Sequence, residues 1–412
     1  MNWTRRRTLT TLLGVATTTL AGCLGDDIED QPLPETPTGT WHQSAHDGAN
    51  TSVSDVSIPP RGTPAWQSGN ADTVAPVVAG DRLFSVDDKL RAFETRSGDQ
   101  QWQTDLGTDD PGATTTTPAV TADQIILGLE GRIVGFARED GTEQWELPID
   151  GIPQGPVTTD PDSRIGVQPI ERRDSDGTVG ELFAFELPTG KRRWTAPLRV
   201  SPVTTPPAVF DQQVFGVGYT ETGTPVLRAV GLTDGQRRWE RELDDPETPP
   251  VVTESGVFLG DSGTLRQYTH SGDNLDNITD DSEDKGALHA IAVADETAFI
   301  LSENGLSAVS LPDGDREWHF DATPRADGLC VGRDSIVAPV SSDEFNLDTS
   351  WPCIAAFSRS NGNVQWYHAV DDAFHPTINT TPVIADGAVF IITKPNSGVT
   401  ALGDLPPRGS SN

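Results

Sequence analysis

Two histidines four residues apart, His42 and His46, with Asp47 beside the second, give the best metal-ligand spacing in the chain. On a helix, positions i and i+4 share one face, and imidazole with carboxylate suits zinc. Gly48 and Asn50 oppose a helix there, however, and no third ligand stands nearby in sequence. No metal site is therefore expected. The cysteines are Cys23, Cys330 and Cys353, none adjacent to another. The last two fall on strands separated by a third, about 9–10 Å apart, which exceeds disulfide reach. Two buried free thiols are expected. No Gly-rich phosphate loop, nucleophile elbow or His-Glu-x-x-His occurs, and no residue is assigned a catalytic role. Asn50, Asn277 and Asn379 each open an Asn-x-Ser/Thr sequon and are the candidate glycosylation positions, with Asn277 the most loop-like. The run Asp280-Asp281-Ser282-Glu283-Asp284 reads as a solvated loop.

Charge narrows the function classes. The chain of 412 residues carries 29 basic against 62 acidic groups, a formal net charge of -33. Nucleic-acid binding needs clustered Lys and Arg along a phosphate backbone, so it is excluded as a partner class. Acidity with only four lysines resembles the proteomes of salt-loving archaea. At multimolar salt the Debye length falls below ~3 Å, which screens the repulsion among carboxylates.

The first residues read as an address. Arg5-Arg6-Arg7 precede a short apolar run ending in Leu20-Ala21-Gly22-Cys23. This resembles a twin-arginine export signal followed by a lipoprotein cleavage box, with Cys23 the lipidated residue. Residues 1–22 are thus expected as the signal peptide and 23–40 as a flexible, acidic, Pro-rich linker. The linker leads to a domain over 41–405 and a disordered tail at 406–412.

What must position any functional residue is a repeat. A Gly-x-x-x-Trp pentad recurs at Gly98/Trp102, Gly141/Trp145, Gly190/Trp194, Gly235/Trp239, Gly314/Trp318 and Gly362/Trp366. Ahead of each lie three short apolar segments, the first opened in most repeats by a proline, as in Pro76-Val77-Val78. Four strands, A to D, repeating at ~40–50 residues are the signature of a propeller blade. Gly supplies a tight C–D turn, and Trp on strand D is expected to pack on the adjoining blade. Eight A strands can be counted. The fifth repeat has Ile278 roughly where Trp is expected, and the eighth lacks a D strand of its own. Arg61-Gly62-Thr63-Pro64-Ala65-Trp66 is D-like and precedes the first A strand, so it is expected to complete the last blade beside residues 399–402. The fold class is all-β: an eight-bladed propeller of four-stranded antiparallel blades, its ring closed by an N-terminal strand.

Stretches such as Ala92-Phe93-Glu94-Thr95-Arg96-Ser97-Gly98-Asp99-Gln100-Gln101-Trp102 resemble the repeats of quinoprotein-like propellers. The opening Trp41-His42 with His46-Asp47-Gly48-Ala49-Asn50-Thr51 resembles the segment that begins many of them. The resemblance implies one of two roles. One is a dehydrogenase with pyrroloquinoline quinone (PQQ) and calcium in the central channel. The other is a non-catalytic scaffold like the bacterial outer-membrane assembly lipoprotein. In many quinone enzymes a vicinal disulfide caps the ring, and this chain has no adjacent cysteines to form one. The scaffold is the expected function, without a cofactor, and the PQQ dehydrogenase is the alternative.

Loop lengths point to a binding surface. The B–C connections are long in the third repeat, around Arg172 and Arg173, and in the seventh, up to Trp351. Four blades apart in a ring of eight, they stand across the channel mouth, joined by Asp371, Asp372 and His375 from a D–A connection. These six residues are the candidate binding face. The expected protein is a monomeric lipoprotein on the extracellular face of the cytoplasmic membrane, binding a protein or cell-envelope partner. If the acidity is an adaptation to salt, unfolding temperature measured by circular dichroism falls as salt is lowered from molar to millimolar. A fold indifferent to salt contradicts that reading.

Overall fold

The computed structural model describes residues 30–406, apart from 70–73, 108–115, 161, 175–176, 199–204, 279–285, 312, 346–351, 370–376, 379–380 and 395–397. Eight antiparallel sheets of four strands or slightly more make an eight-bladed β-propeller. Among the described residues the one helical piece is a single 3-10 turn at Ser342–Phe345. In each blade strand A is innermost and strand D outermost. The first blade runs Val77–Ala79, Arg82–Val86, Lys89–Glu94 and Gln100–Asp105. The A strands of the following blades begin at Ala119, Thr158, Ala208, Val251, Leu288, Cys330 and Val383.

In the eighth blade the outer position is taken by Thr63–Gly69, which pairs antiparallel with Gly398–Gly403 and sets Trp66 opposite Ala401. A strand from before the first blade thereby lies in the same sheet as the last hydrophobic segment.

The central strands B and C are buried on both faces and read as continuous apolar runs, such as residues 125–129 and 388–392. Between blades, the Trp of strand D covers the C–D-turn glycine of the next blade. A Cβ on Gly98 would come within 2.6 Å of Trp66, and one on Gly362 within 2.5 Å of Trp318. The same relation joins Trp102 to Gly141, Trp145 to Gly190, Trp194 to Gly235 and Trp239 to Gly272; Trp366 meets Gly62, which stands just before the outer strand of the eighth blade. Gly98, Gly190 and Gly362 also hold φ of 76°, 65° and 69°, a region side chains rarely adopt. Five of these indoles donate from Nε1 to a backbone carbonyl: Trp66 to Thr95, Trp194 to Leu232, Trp239 to His270, Trp318 to Arg359 and Trp366 to Pro59.

Three expectations need correction. Residues 30–40 are held, where a free linker was expected to run through 40. The Gln31 amide donates to Ala65 O and the Leu33 amide to Arg96 O, and Leu33 is fully buried against the first and last blades. An apolar side chain with a hydrogen-bonded backbone has no reason to stay in solvent. Ile278 is not the Trp equivalent of the fifth blade. It pairs with Leu265, and the bulge between Arg266 and Tyr268 puts position 276 at the Trp place, so the C–D turn spacing is kept and the indole is lost. The long B–C connection of the third blade is a hairpin, with Ile165–Asp174 and Gly177–Glu186 paired along their whole length.

Replacing Trp194, 8% exposed, by Ala removes an interblade contact and strands the Leu232 carbonyl. A loss of ~3–5 kcal/mol is expected, read as a lower denaturation midpoint. A loss under about 1 kcal/mol contradicts the packing role.

Candidate functional site: the channel and its belt

Residues 38–57 form a belt around the inner edge of the ring. Strand A is an edge strand, so its outward N–H and C=O groups need partners. Among the described residues the belt supplies them for every blade but the sixth. Gly39 O accepts from Gly80 of the first blade, and Thr40–Trp41 pairs with Val78–Ala79. His42 O accepts from Val120 in the second blade at 2.8 Å. The Thr159 amide of the third blade donates to Gln43 Oε1 at 2.9 Å. Gly48 O and Ala49 O accept from Val209 and Val252 of the fourth and fifth blades. Ser52 and Ser54 bracket Val331 of the seventh, and Thr38 O and Ser57 O accept from Asp386 and Gly387 of the eighth. The turns touched (Gly80, Arg333, Asp386 and Gly387) are A–B turns, so the belt closes the channel at the A–B and C–D face.

Its curvature requires left-handed backbone at His46, Asn50 and Ser52, with φ of 75°, 58° and 55°. Asn tolerates this region better than most residues. Asn50 is 2% exposed, and its Nδ2 donates to Pro206 O at 3.0 Å and Pro250 O at 3.1 Å. The nitrogen that a glycan would need is thus spent inside the ring. Asn277 lies in the outermost strand of the fifth blade, Asn274–Ile278, where a loop was expected. Asn379 lies outside the described residues.

The His42, His46 and Asp47 group belongs to the belt. Asp47 accepts from the amides of Ala49 and Thr51 and from the Thr51 hydroxyl at 2.5 Å. Burial alone would raise its carboxyl pKa, but hydrogen bonds from His46 and Thr51 outweigh it and hold the group below the usual carboxylate value. Burial keeps His42 below the ordinary histidine range, with the neighbouring His46 adding to it. Among the described residues no group of three or more His, Cys, Asp or Glu could hold a metal. Cys330 and Cys353 are free and buried; Cys330 Sγ donates to Pro382 O at 2.6 Å, and burial pushes both thiols upward in pKa.

A quinone with calcium needs carboxylate and amide oxygens for the metal and cations for its own carboxylates. The inner strands present mainly aliphatic residues, as in Val77–Ala79, Ala119–Val120 and Val383–Ala385. Among the described residues no group of three or more His, Cys, Asp or Glu stands together to hold the calcium.

Of the expected binding face, Arg172 sits on the long hairpin of the third blade, half-buried, its Nε without a hydrogen-bond partner. Arg173 follows on the same strand. Trp351, Asp371, Asp372 and His375 lie outside the described residues, so the proposed convergence across the channel mouth rests on the blades alone. In the seventh blade, Phe345 at the end of the 3-10 turn stacks on Tyr367 at 4.3 Å and 9°.

The family model described as outer membrane protein assembly factor BamB matches residues 41–166 and 180–407. The chain belongs to this family. It is similar in structure to BamB from Moraxella catarrhalis, with a TM-score of 0.59, 12% identity and coverage of 85% of this chain and 99% of that one. It is also similar to the quinohemoprotein alcohol dehydrogenase from Comamonas testosteroni, with 0.64, 11%, 90% and 82% for the same measures. The computationally designed Ika8 protein gives 0.61, 12%, 84% and 100%. At such identities the likeness is one of fold. A search of curated proteins finds no match to the chain.

Sequence reasoning missed the belt. The signal was there: about twenty residues without periodicity between Trp41 and the strand at Thr63, longer than an idle connection in a compact domain. Asn50→Ala removes both side-chain bonds, leaves two prolyl carbonyls unpaired and puts Ala at positive φ. A loss of about 1–3 kcal/mol is expected in thermal or denaturant unfolding. An unchanged midpoint contradicts the belt's contribution.

Proposed function

We propose that this protein is an extracytoplasmic, non-catalytic binding scaffold, held at the outer face of the cytoplasmic membrane by a lipid on Cys23. The observation that carries the reading is the belt. Residues 38–57 take up inner-strand hydrogen-bonding groups of every blade but the sixth, groups at which a channel ligand would first find partners, and among the described residues they present no metal-ligand set of their own. A ring so tied is a rigid platform, and its functional groups then lie on its rim and loops. Membership in the BamB family supports an envelope location and a protein-binding role. The family's particular outer-membrane assembly partner does not carry over to a chain whose composition resembles that of salt-loving archaea.

Reconstitution with PQQ and calcium tests the role. The mature protein is expected to take up no stoichiometric quinone by absorbance and to show no dye-linked alcohol oxidation. Tight uptake with turnover overturns the scaffold reading in favour of the dehydrogenase. Cys23→Ser in the native host tests the anchor: the variant is expected in the medium or soluble fraction, and retention in the membrane contradicts lipidation at that residue.

A further inference from the structure

The sixth blade stands apart on both sides of the ring. Among the described residues the belt bonds to Val252 of the fifth blade through Ala49 and next to Val331 of the seventh through Ser52 and Ser54, so it passes the sixth by. The sixth blade also follows the D strand that carries no indole: Asp276 holds the place four residues after Gly272.

The consequences lie at the junction of the fifth and sixth blades. Elsewhere a strand-B phenylalanine meets the indole of its own blade, as Phe84 meets Trp102, Phe215 meets Trp239 and Phe299 meets Trp318. The residue opposite that phenylalanine on strand C is a fully buried alanine: Ala92, Ala229 and Ala308 in turn. In the fifth blade Phe258 stands opposite Gln267 instead. Gln267 is half-buried, and its Nε2 donates to Ser255 O at 3.0 Å. From the sixth blade, Ile300 packs on the shared cluster and is only partly buried. Ser85, Leu259 and Ile391, which follow Phe84, Phe258 and Phe390 as Ile300 follows Phe299, are fully buried. Solvent thus reaches a layer of this junction that is sealed at the others. The Leu311 carbonyl, three residues before Gly314, also has no indole to accept from, whereas Leu232, three before Gly235, accepts from Trp194.

We infer that the junction of the fifth and sixth blades is a seam at which the ring opens locally, as a wedge from its outer rim at the A–B and C–D face. An indole over an alanine excludes water from a large apolar area. A glutamine in that place keeps part of its hydration, so parting the blades there exposes less surface that was dry. The inner side is the hinge. Val251 of one inner strand shares a buried cluster with Ile291 and Val293 of the next, the Leu288 amide donates to Glu247 at 3.0 Å, and the belt straps the fifth blade to the seventh. The sixth blade moves with the seventh. Trp318 covers Gly362 and donates to Arg359 O, while Arg359 pairs with Asp295 at 2.6 Å and lies 5.5 Å over the Phe299 ring. The belt-tied blades are the rigid frame, and the seam is its compliant joint, whatever the rim binds.

The test is native-state thiol labelling. Val309 and Val230 hold the same place on strand C and are each 1% exposed. Val309 lies in the cluster shared with the fifth blade, and Val230 in the one shared with the third, beside Trp194. Val309→Cys and Val230→Cys are made separately in the mature protein and incubated with a maleimide without denaturant. Modification of each thiol is read by peptide mass mapping. The thiol of Val309→Cys is expected to react at least about tenfold faster than that of Val230→Cys. Cys330 and Cys353, free and buried in the seventh blade, report global unfolding in the same samples and are expected to stay unmodified meanwhile. Restoring the usual pair with Gln267→Ala and Asp276→Trp is expected to bring the Val309→Cys rate down to that of Val230→Cys.

Equal rates at the two positions overturn the inference. So does modification of Val309→Cys that keeps pace with Cys330 and Cys353, which makes the opening global, or a rate unchanged in the folded, refilled protein. If the refilled protein misfolds, the converse is read. Trp194→Ala is then expected to raise the Val230→Cys rate by about tenfold, and an unchanged rate overturns the inference.

Discussion

The contact between an indole and a glycine two blade edges apart sets the spacing of the whole ring. Each D-strand Trp needs a neighbour without a Cβ, and each C–D turn needs a residue that accepts positive φ; one glycine meets both demands. The repeat is therefore an interface motif written once per blade, and neither partner is satisfied until the next blade is in place. The fifth blade departs from it. There Ile278 packs in the cluster with Leu288 and Ile291 of the sixth blade, and Glu247 accepts from the Leu288 amide at 3.0 Å. Aliphatic packing and a carboxylate replace the indole at that junction.

The inner side of the ring is governed by a second constraint, the unpaired edge of each strand A. Propellers leave these edges facing a channel, where water or a ligand can satisfy them. Here the polypeptide itself pairs with the inner edges of every blade but the sixth among the described residues, before it becomes the outer strand of the eighth blade. The same segment thus lines the channel, buries Leu33 between the first and last blades, and delivers Trp66 to its glycine. A ring tied from within and without has its rim and loops left for recognition.

Blade number, strand order and the packing direction of the indoles were legible because they repeat. Two free thiols at Cys330 and Cys353 followed from strand geometry. The belt was illegible for the opposite reason: it occurs once, and its bonds are backbone carbonyls to distant strands, which leave no pattern in side-chain type. Asn50 reads as a sequon in sequence and as a buried left-handed corner in space, because burial there is decided by prolines more than 150 residues away. The long hairpin of the third blade was sensed as an insertion and misjudged as a loop, since polar, charged residues at its tip mask continuous pairing.

The claim on which the account turns is that the chain's own N-terminal segment occupies the inner strand edges. Hydrogen exchange of the intact protein measures it directly at the amides of Val120, Val209, Val252 and Val331. They are expected to exchange as slowly as amides in the middle of strands B and C. Exchange at the rate of exposed edge amides would mean that the channel is open and the scaffold argument unfounded.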